Sequence, residues 1–349
     1  MSDFDHLRIS LSDINLATSY FSPESVISVG RYEKVYKAEM HTYNKKYSVS
    51  LKRFDQSISS EWFVETIKNF SRFLHPNINS LLGFCDEGDE KILFFEHPEY
   101  GSLQNYVDNT RLTWTARLKV CIDVSYGIHY LHSFSDLEQR VTHSIIKSSS
   151  ILLDSNLMAK IDAEYSNIDV PFEAESDYSD PSRDEIMVSD IYSFGIILFE
   201  VLCGRLAFDA EYDTNSQDLI QLAKKNYKDG KLEEIIDPFL RNQMATESLS
   251  TFSEIAYQCC NDDPKQRPTM DYIKMQLVES LKVQWAFEQN SSAAFGIVTR
   301  DSVGLLRYVI GNRCCAVSPL HAEIIALSLI IFRHIPPWSL AALVEDIRI

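Results

Sequence analysis

The sequence predicts an α+β chain, strand-rich over its first hundred residues and helical beyond them. Three observations carry that expectation. Between residues 26 and 96, β-rich runs surround a single amphipathic helix, while 114–132 repeats apolar residues at helical spacing. The third is length: 349 residues allow two domains of ordinary size or one larger two-lobed domain.

Composition narrows the class. Hydrophobic residues make up 45%, enough for a substantial core. Lys plus Arg number 33 against 50 Asp plus Glu, a formal charge of -17, which argues against a nonspecific nucleic-acid or anionic-membrane binder. The seven cysteines, at 85, 121, 203, 259, 260, 314 and 315, form no CxxC pair and have no His at ligand spacing, so reduced core thiols of a cytosolic protein are expected. Met1 to His6 is polar without an apolar core, so no secretory signal is expected. The strongest apolar run, Ile324 to Phe332, is too short to span a bilayer.

Taken in order, residues 7–22 alternate briefly and then offer Ser12 or Asp13 as a helix N-cap. Val26 to Glu39 reads as two β-runs about a turn with Gly30, and Val49 to Arg53 as a strand carrying Lys52. Ser60 to Leu74 spaces Phe63, Ile67, Phe70 and Leu74 as one helix face. Two strands, Ile78 to Phe84 and Lys91 to Glu96, lead into His97-Pro98-Glu99-Tyr100-Gly101-Ser102-Leu103. Trp114 to His132 follows as a long helix with Leu118, Cys121, Ile122, Val124, Ile128 and Leu131 turned inward. Residues 162–185 then hold nine acidic side chains and one Arg, a pattern that usually marks a solvated face.

His143-Ser144-Ile145-Ile146-Lys147-Ser148-Ser149-Ser150, running into Ile151-Leu152-Leu153, resembles the catalytic loop of protein kinases: His-Arg-Asp, four spacers and Asn before an apolar strand. Ser189 to Arg205, Ile255 to Cys259 and Gln266-Arg267-Pro268-Thr269-Met270 resemble the buried C-lobe segments of the same family. Over residues 7 to about 284 the chain is similar to the kinase domain of plant receptor-like kinases. The resemblance implies a two-lobed protein-kinase-like fold: a lead-in at 1–21, an N-lobe of antiparallel sheet and one helix at 22–96, and a hinge with a mainly helical C-lobe at 97–284.

It also implies a site, and the departures fall there. Ile145 stands where the catalytic Asp would be, Ser144 at the Arg that clasps a loop phosphate, and Ser150 at the metal-binding Asn. Tyr178, Ser176 and Ser179 offer hydroxyls for modification, but without that Arg, control by loop phosphorylation is poorly supported. Ala159-Lys160-Ile161-Asp162-Ala163-Glu164-Tyr165 aligns without a gap so that Ala163 replaces the magnesium-binding Asp. A one-residue slip would bring in Asp162 instead, but such a slip in a strand reverses its buried face.

Of three hairpin glycines only Gly30 is kept, with Ser28 and Glu33 in the other places; Glu33 would repel phosphate. Thr66 stands at the helix Glu that pairs with the strand lysine, and Glu65 is turned from it by about 100°. Arg267 lacks its usual acidic partner, Ser182 replacing that Glu, with Asp184 or Glu185 as substitutes. Gly30, Val35, Lys52, Phe95 at the gatekeeper position and Leu152 are the residues through which ATP would be held, whereas Mg2+ is poorly provided for.

The tail differs. Residues 293–306 read as strand, turn, strand, and Ser318-Pro319 opens a helix through Leu327, a pattern similar to part of the plant retroelement RNase H-like domain. Glu323 matches one metal-binding carboxylate and Asp346 loosely another, while the opening Asp strand has no counterpart. The expectation is therefore a pseudokinase working through protein partners, an active receptor-like kinase among them, in the cytoplasm or at the inner face of the plasma membrane. An active Ser/Thr kinase using Asp162, and a nuclease, are the alternatives.

Overall fold

The computed structural model describes residues 2–42, 45–133, 146–162, 183–207, 219–290, 292–300 and 306–315. Its first helix, α1 (Leu11–Ala17), is capped by Ser10, whose hydroxyl accepts from the Asp13 N–H at 3.2 Å. The cap thus lies upstream of the expected Ser12 or Asp13, because the buried side chain of α1, Ile14, sets where the turn must begin.

After α1 the backbone enters the left-handed region at Ser19, Tyr20 and Phe21, with φ of 50°, 58° and 56°, at a cost of roughly 1–2 kcal/mol per residue. Local bonds and packing offset it. The Thr18 hydroxyl donates to the Ile14 carbonyl at 2.8 Å and accepts from the Phe21 N–H at 3.0 Å. Phe21 meets Tyr36 edge-on at 5.2 Å and lies under the Arg53 guanidinium at 4.1 Å. The lead-in is therefore part of the N-lobe.

The N-lobe sheet comprises β1 (Val26–Val29), β2 (Glu33–Thr42), β3 (Lys45–Phe54), β4 (Leu81–Cys85) and β5 (Ile92–Glu96), antiparallel in the order β1-β2-β3-β5-β4. Side chains alternate across it. Tyr36, Ala38, Val49, Leu51, Ile92 and Phe94 form an outer core closed by Ile14 of α1. Phe84, Leu93 and Phe95 pack inward on α2 (Ser60–Phe70). The β4 edge is covered by the chain's own start: Arg8 bridges Phe84 in parallel and the Ile9 N–H donates to the Phe84 carbonyl at 2.8 Å.

Ser59 caps α2 through the Trp62 N–H. The helix was expected to reach Leu74 but stops at Phe70. The Phe73 N–H turns back to the Phe70 carbonyl, a tighter turn that sends Phe73 inward and leaves Leu74 80% exposed.

In the C-lobe, β6 (Gly101–Ser102), β7 (Ile151–Leu153) and β8 (Ala159–Ile161) form a small sheet in that order. It lies against α3 (Trp114–Ser133), whose expected inward stripe is buried. Gly127 permits that approach, because a Cβ there would come within 2.8 Å of the Asn77 carbonyl and the Ile161 side chain. The central helix, α4 (Arg183–Cys203), buries Phe194, Ile197, Leu198, Phe199, Val201 and Leu202. Against it lie α5 (Leu219–Lys228) and α6 (Thr246–Cys259), while α7 (Met270–Asn290) packs on α3 and α6 and runs unbroken past residue 284.

Two polar features complete the lobe. Arg117 is 1% exposed and donates to the Leu112 carbonyl at 2.9 Å, the Val201 carbonyl at 2.6 Å and Asp237 at 2.7 Å. Arg267, expected to need an acidic partner, instead donates to the Asn261 and Val188 carbonyls and stacks on Tyr192. The side chains of Asp184 and Glu185, the expected substitutes, lie outside the described residues.

Cys85, Cys121, Cys203, Cys259 and Cys260 are free and buried. Burial pushes the Cys203 thiol up to about 12 and raises Cys85, Cys121 and Cys259 as well, which keeps these thiols protonated and inert. Beyond α7, β9 (Ser292–Arg300) and β10 (Leu306–Cys315) pair antiparallel. The second strand therefore begins where the expected one ended. The helix expected from Ser318, with Glu323 and Asp346, lies outside the described residues.

Candidate functional site: the cleft between the lobes

Lys52 reaches the cleft because β3 alternates. Val49 and Leu51 go to the outer core, so Ser50 and Lys52 face inward, Lys52 lying opposite Val35 of β2 and Leu93 of β5. Its ammonium sits 5.0 Å from the centre of the Phe95 ring and 2.9 Å from Asp162 Oδ2. Both side chains are mostly covered, at 15% and 18% exposure, so the pair is screened less than a surface bridge.

Asp162 immediately follows β8 and is fixed from two further sides. Its N–H donates to the Ser150 carbonyl at 2.8 Å, and its Oδ1 accepts from Asn79 Nδ2 at 3.2 Å. The Asn79 N–H in turn donates to the Ile161 carbonyl at 2.8 Å, tying the approach to β4 onto β8. The lysine's carboxylate thus comes from the C-lobe. The α2 position does not supply it: Thr66 is fully buried and donates to the Trp62 carbonyl, while Glu65 pairs with Lys68 at 3.5 Å.

Ser150 is absorbed locally. Its hydroxyl donates to the Lys147 carbonyl at 2.9 Å and accepts from the Lys147 N–H at 3.1 Å, capping the turn before β7. Ser148 donates to Glu200 at 2.7 Å, and burial raises that carboxyl despite a second bond from the Ala207 N–H. Ile145 and Ala163 lie outside the described residues, as do His143, Ser144 and the acidic segment through residue 182.

Above the cleft, the Glu33 carboxylate lies over Gly30, where an added Cβ would collide with it. Phe95 is fully buried and packs edge-on against Phe70 of α2 at 5.3 Å, so the back of the cleft is closed by two rings. Leu152 is half-buried in β7, opposite Lys160 of β8, and Lys160 forms an ion pair with Glu96 at the end of β5.

His97, next in the hinge, shares a 2.8 Å hydrogen bond with Ser50 through Nδ1, and burial holds its imidazole below the ordinary range, with Lys37 adding to the effect. A cavity of about 470 Å³ opens on the outer side of the hairpin, against Gly30, Glu33, Tyr36, Arg53, Asp55 and Glu90; Lys52, Phe95 and Leu152 are not among its walls.

Two lobes, a lysine on the third strand and a hinge beneath a buried ring make up a kinase cleft. The family model described as protein tyrosine and serine/threonine kinase matches residues 22–165 and 183–277. The chain belongs to that family. Among its relatives, the receptor-like protein kinase HERK 1 of Arabidopsis thaliana is 34% identical over 314 residues, covering 83% of this chain and 37% of the relative. The receptor-like protein kinase FERONIA of Arabidopsis thaliana is 29% identical over 326 residues, covering 87% and 35%. The chain spans about a third of the length of these relatives, and is a protein kinase domain of the plant receptor-like kinase type. Among solved structures, the pseudokinase domain of BIR2, an immune regulator of the RLK/Pelle family, aligns with a TM-score of 0.65 at 26% identity, covering 81% of this chain and 88% of that one.

Kinases of this type use ATP and Mg2+. The residues present fit neither group well: Lys52 is bonded to Asp162, Glu33 covers the hairpin glycine, and the Ser150 hydroxyl is taken by the backbone. The sequence reading missed Asn79, the Glu96–Lys160 pair and Pro98. Asn79 was detectable as a polar residue between Ile78 and the apolar β4 run.

Proposed function

We propose that this kinase domain is catalytically impaired and acts through protein partners. Phosphoryl transfer depends on a base, metal ligands and a phosphate-binding lysine placed together. The observation that carries the proposal is the Lys52–Asp162 pair at 2.9 Å, which sets the nearby carboxylate on the chain's own cation while Asn79 holds its other oxygen. Ile145 at the base position deepens the impairment; losing a general base alone costs about 10²- to 10⁴-fold.

BIR2, an immune regulator with a pseudokinase domain, is the precedent that supports an interaction role. The partner class is protein, with an active receptor-like kinase as the first candidate, which would place the domain in the cytoplasm or at the inner face of the plasma membrane. Among the described residues, no helix is long and apolar enough to cross a membrane.

A second reading is an active Ser/Thr kinase that recruits Asp162 for magnesium, favoured by the orientation of that carboxylate toward Lys52. Incubation of purified protein with labelled ATP, magnesium and a generic substrate separates the two. The proposal expects no incorporation above a Lys52→Ala control, and incorporation abolished in that control would establish the second reading. For the tail, the RNase H-like resemblance is kept as a proposal about ancestry: the β9–β10 hairpin is the part of that pattern within the described residues, and no nuclease role is assigned to it.

A further inference from the structure

Loss of catalysis does not by itself empty a kinase cleft, since a cleft can bind ATP and transfer nothing. We infer that this one excludes adenine nucleotides, because Pro98 removes the backbone donor for the base and Asp162 occupies the lysine for the phosphates. The inference rests on reading the site as a degenerate kinase cleft.

The base comes first. Adenine carries an exocyclic N–H donor beside a ring-nitrogen acceptor, so a backbone reads that edge with a carbonyl and a neighbouring N–H. In extended chain the polar groups of successive residues point to opposite sides, and those of residues i and i+2 to the same side. The His97 N–H is turned to the Ser48 carbonyl in β3 at 3.1 Å, so the groups at positions 96 and 98 point away from β3. Position 96 keeps its carbonyl, but position 98 is proline, which has no N–H. The chain beyond is committed elsewhere: the Tyr100 N–H goes to the Leu153 carbonyl at 3.1 Å and the Gly101 N–H to the Pro98 carbonyl at 3.3 Å. Only half of the adenine edge can be read.

The phosphates fare no better. Lys52 is already bonded to Asp162 at 2.9 Å, and a phosphate drawn to that ammonium would meet the displaced carboxylate at close range in a partly dry cleft. Glu33, whose carboxylate lies against Gly30, adds a second negative charge to the hairpin. Stated positively, Asp162 is an internal anion in the seat of the nucleotide phosphate. With the Glu96–Lys160 pair it holds β3 and β5 to β8 with no ligand between them.

The test is a fluorescence titration with a methylanthraniloyl-ATP probe, alongside thermal shift with ATP, with and without magnesium. It uses the full chain, Pro98→Ala, Asp162→Ala and the double variant, each checked for folding by circular dichroism. The native chain is expected to show no saturable signal and no shift at millimolar nucleotide. The double variant, with donor and lysine restored, is expected to bind about tenfold or more tighter than either single variant. Saturable binding by the native chain would overturn exclusion while leaving the catalytic reading to the phosphate-transfer assay. A folded double variant that binds no better than the native chain would overturn the assignment to Pro98 and Asp162.

Discussion

Two ion pairs, one inside the C-lobe and one between the lobes, differ in how the fold holds them. In Arg117–Asp237 of the C-lobe the guanidinium is enclosed, 1% exposed, and each of its three nitrogens donates to a defined acceptor. Burial lowers the Arg117 pKa even with Asp237 beside it, so desolvation is a real cost there, offset by geometry. Lys52–Asp162 is partly open and joins two lobes through one contact and a supporting amide. The first ties together elements within the C-lobe; the second joins the lysine of β3 to the carboxylate that follows β8.

The comparison can be broken at its strong end first. Arg117→Ala leaves Asp237 buried and unpaired and is expected to cost about 3–5 kcal/mol, read as a lower denaturant midpoint. A loss below about 1 kcal/mol would place Arg117 on a par with a surface pair. Next, Ile14→Ala opens a cavity between α1 and the outer face of the sheet, with an expected loss of about 2–5 kcal/mol. A neutral result would detach the lead-in from the N-lobe.

At the weak end, Asp162→Ala is expected to cost only about 1 kcal/mol in stability, because both partners retain some solvent. A separate effect concerns pH. Asp123, which accepts from the Ala159 N–H at 3.0 Å and so ties α3 to β8, is raised by burial from 3.8 to about 6. A folded-state pKa above the unfolded one stabilises the protein below the unfolded value, and that contribution is lost as pH rises through the folded one. Stability attributable to Asp123 should therefore fall between about pH 4 and 6, and Asp123→Asn should flatten that slope in chemical denaturation series. An unchanged slope would show that Asp123 titrates normally.

Much of the scaffold was legible in sequence because periodicity reports burial: the inward stripe of α3 and the strands around Lys52 follow directly from apolar spacing. Local chemistry was harder. Ser10, Ser12 and Asp13 all suit a cap, and only the depth of Ile14 chooses among them. Leu74 fits the helical phase, yet the tighter turn after Phe70 puts Phe73 inside. The backbone carbonyls that accept from Arg267 carry no sequence signature. In the cleft, residue types showed where the sequence departs from the family pattern, whereas the bond from Lys52 to Asp162 spans 110 positions and depends on how the chain leaves β8. Pro98 was readable from the outset, its effect following from a missing N–H.

The central claim is that Lys52 is held by the chain's own carboxylate, and a double-mutant cycle of Lys52→Ala and Asp162→Ala tests it most directly. Unfolding free energies of the native chain, both single variants and the double variant should yield a favourable coupling of about 0.5–3 kcal/mol. Strictly additive losses would mean that the two side chains do not interact in solution.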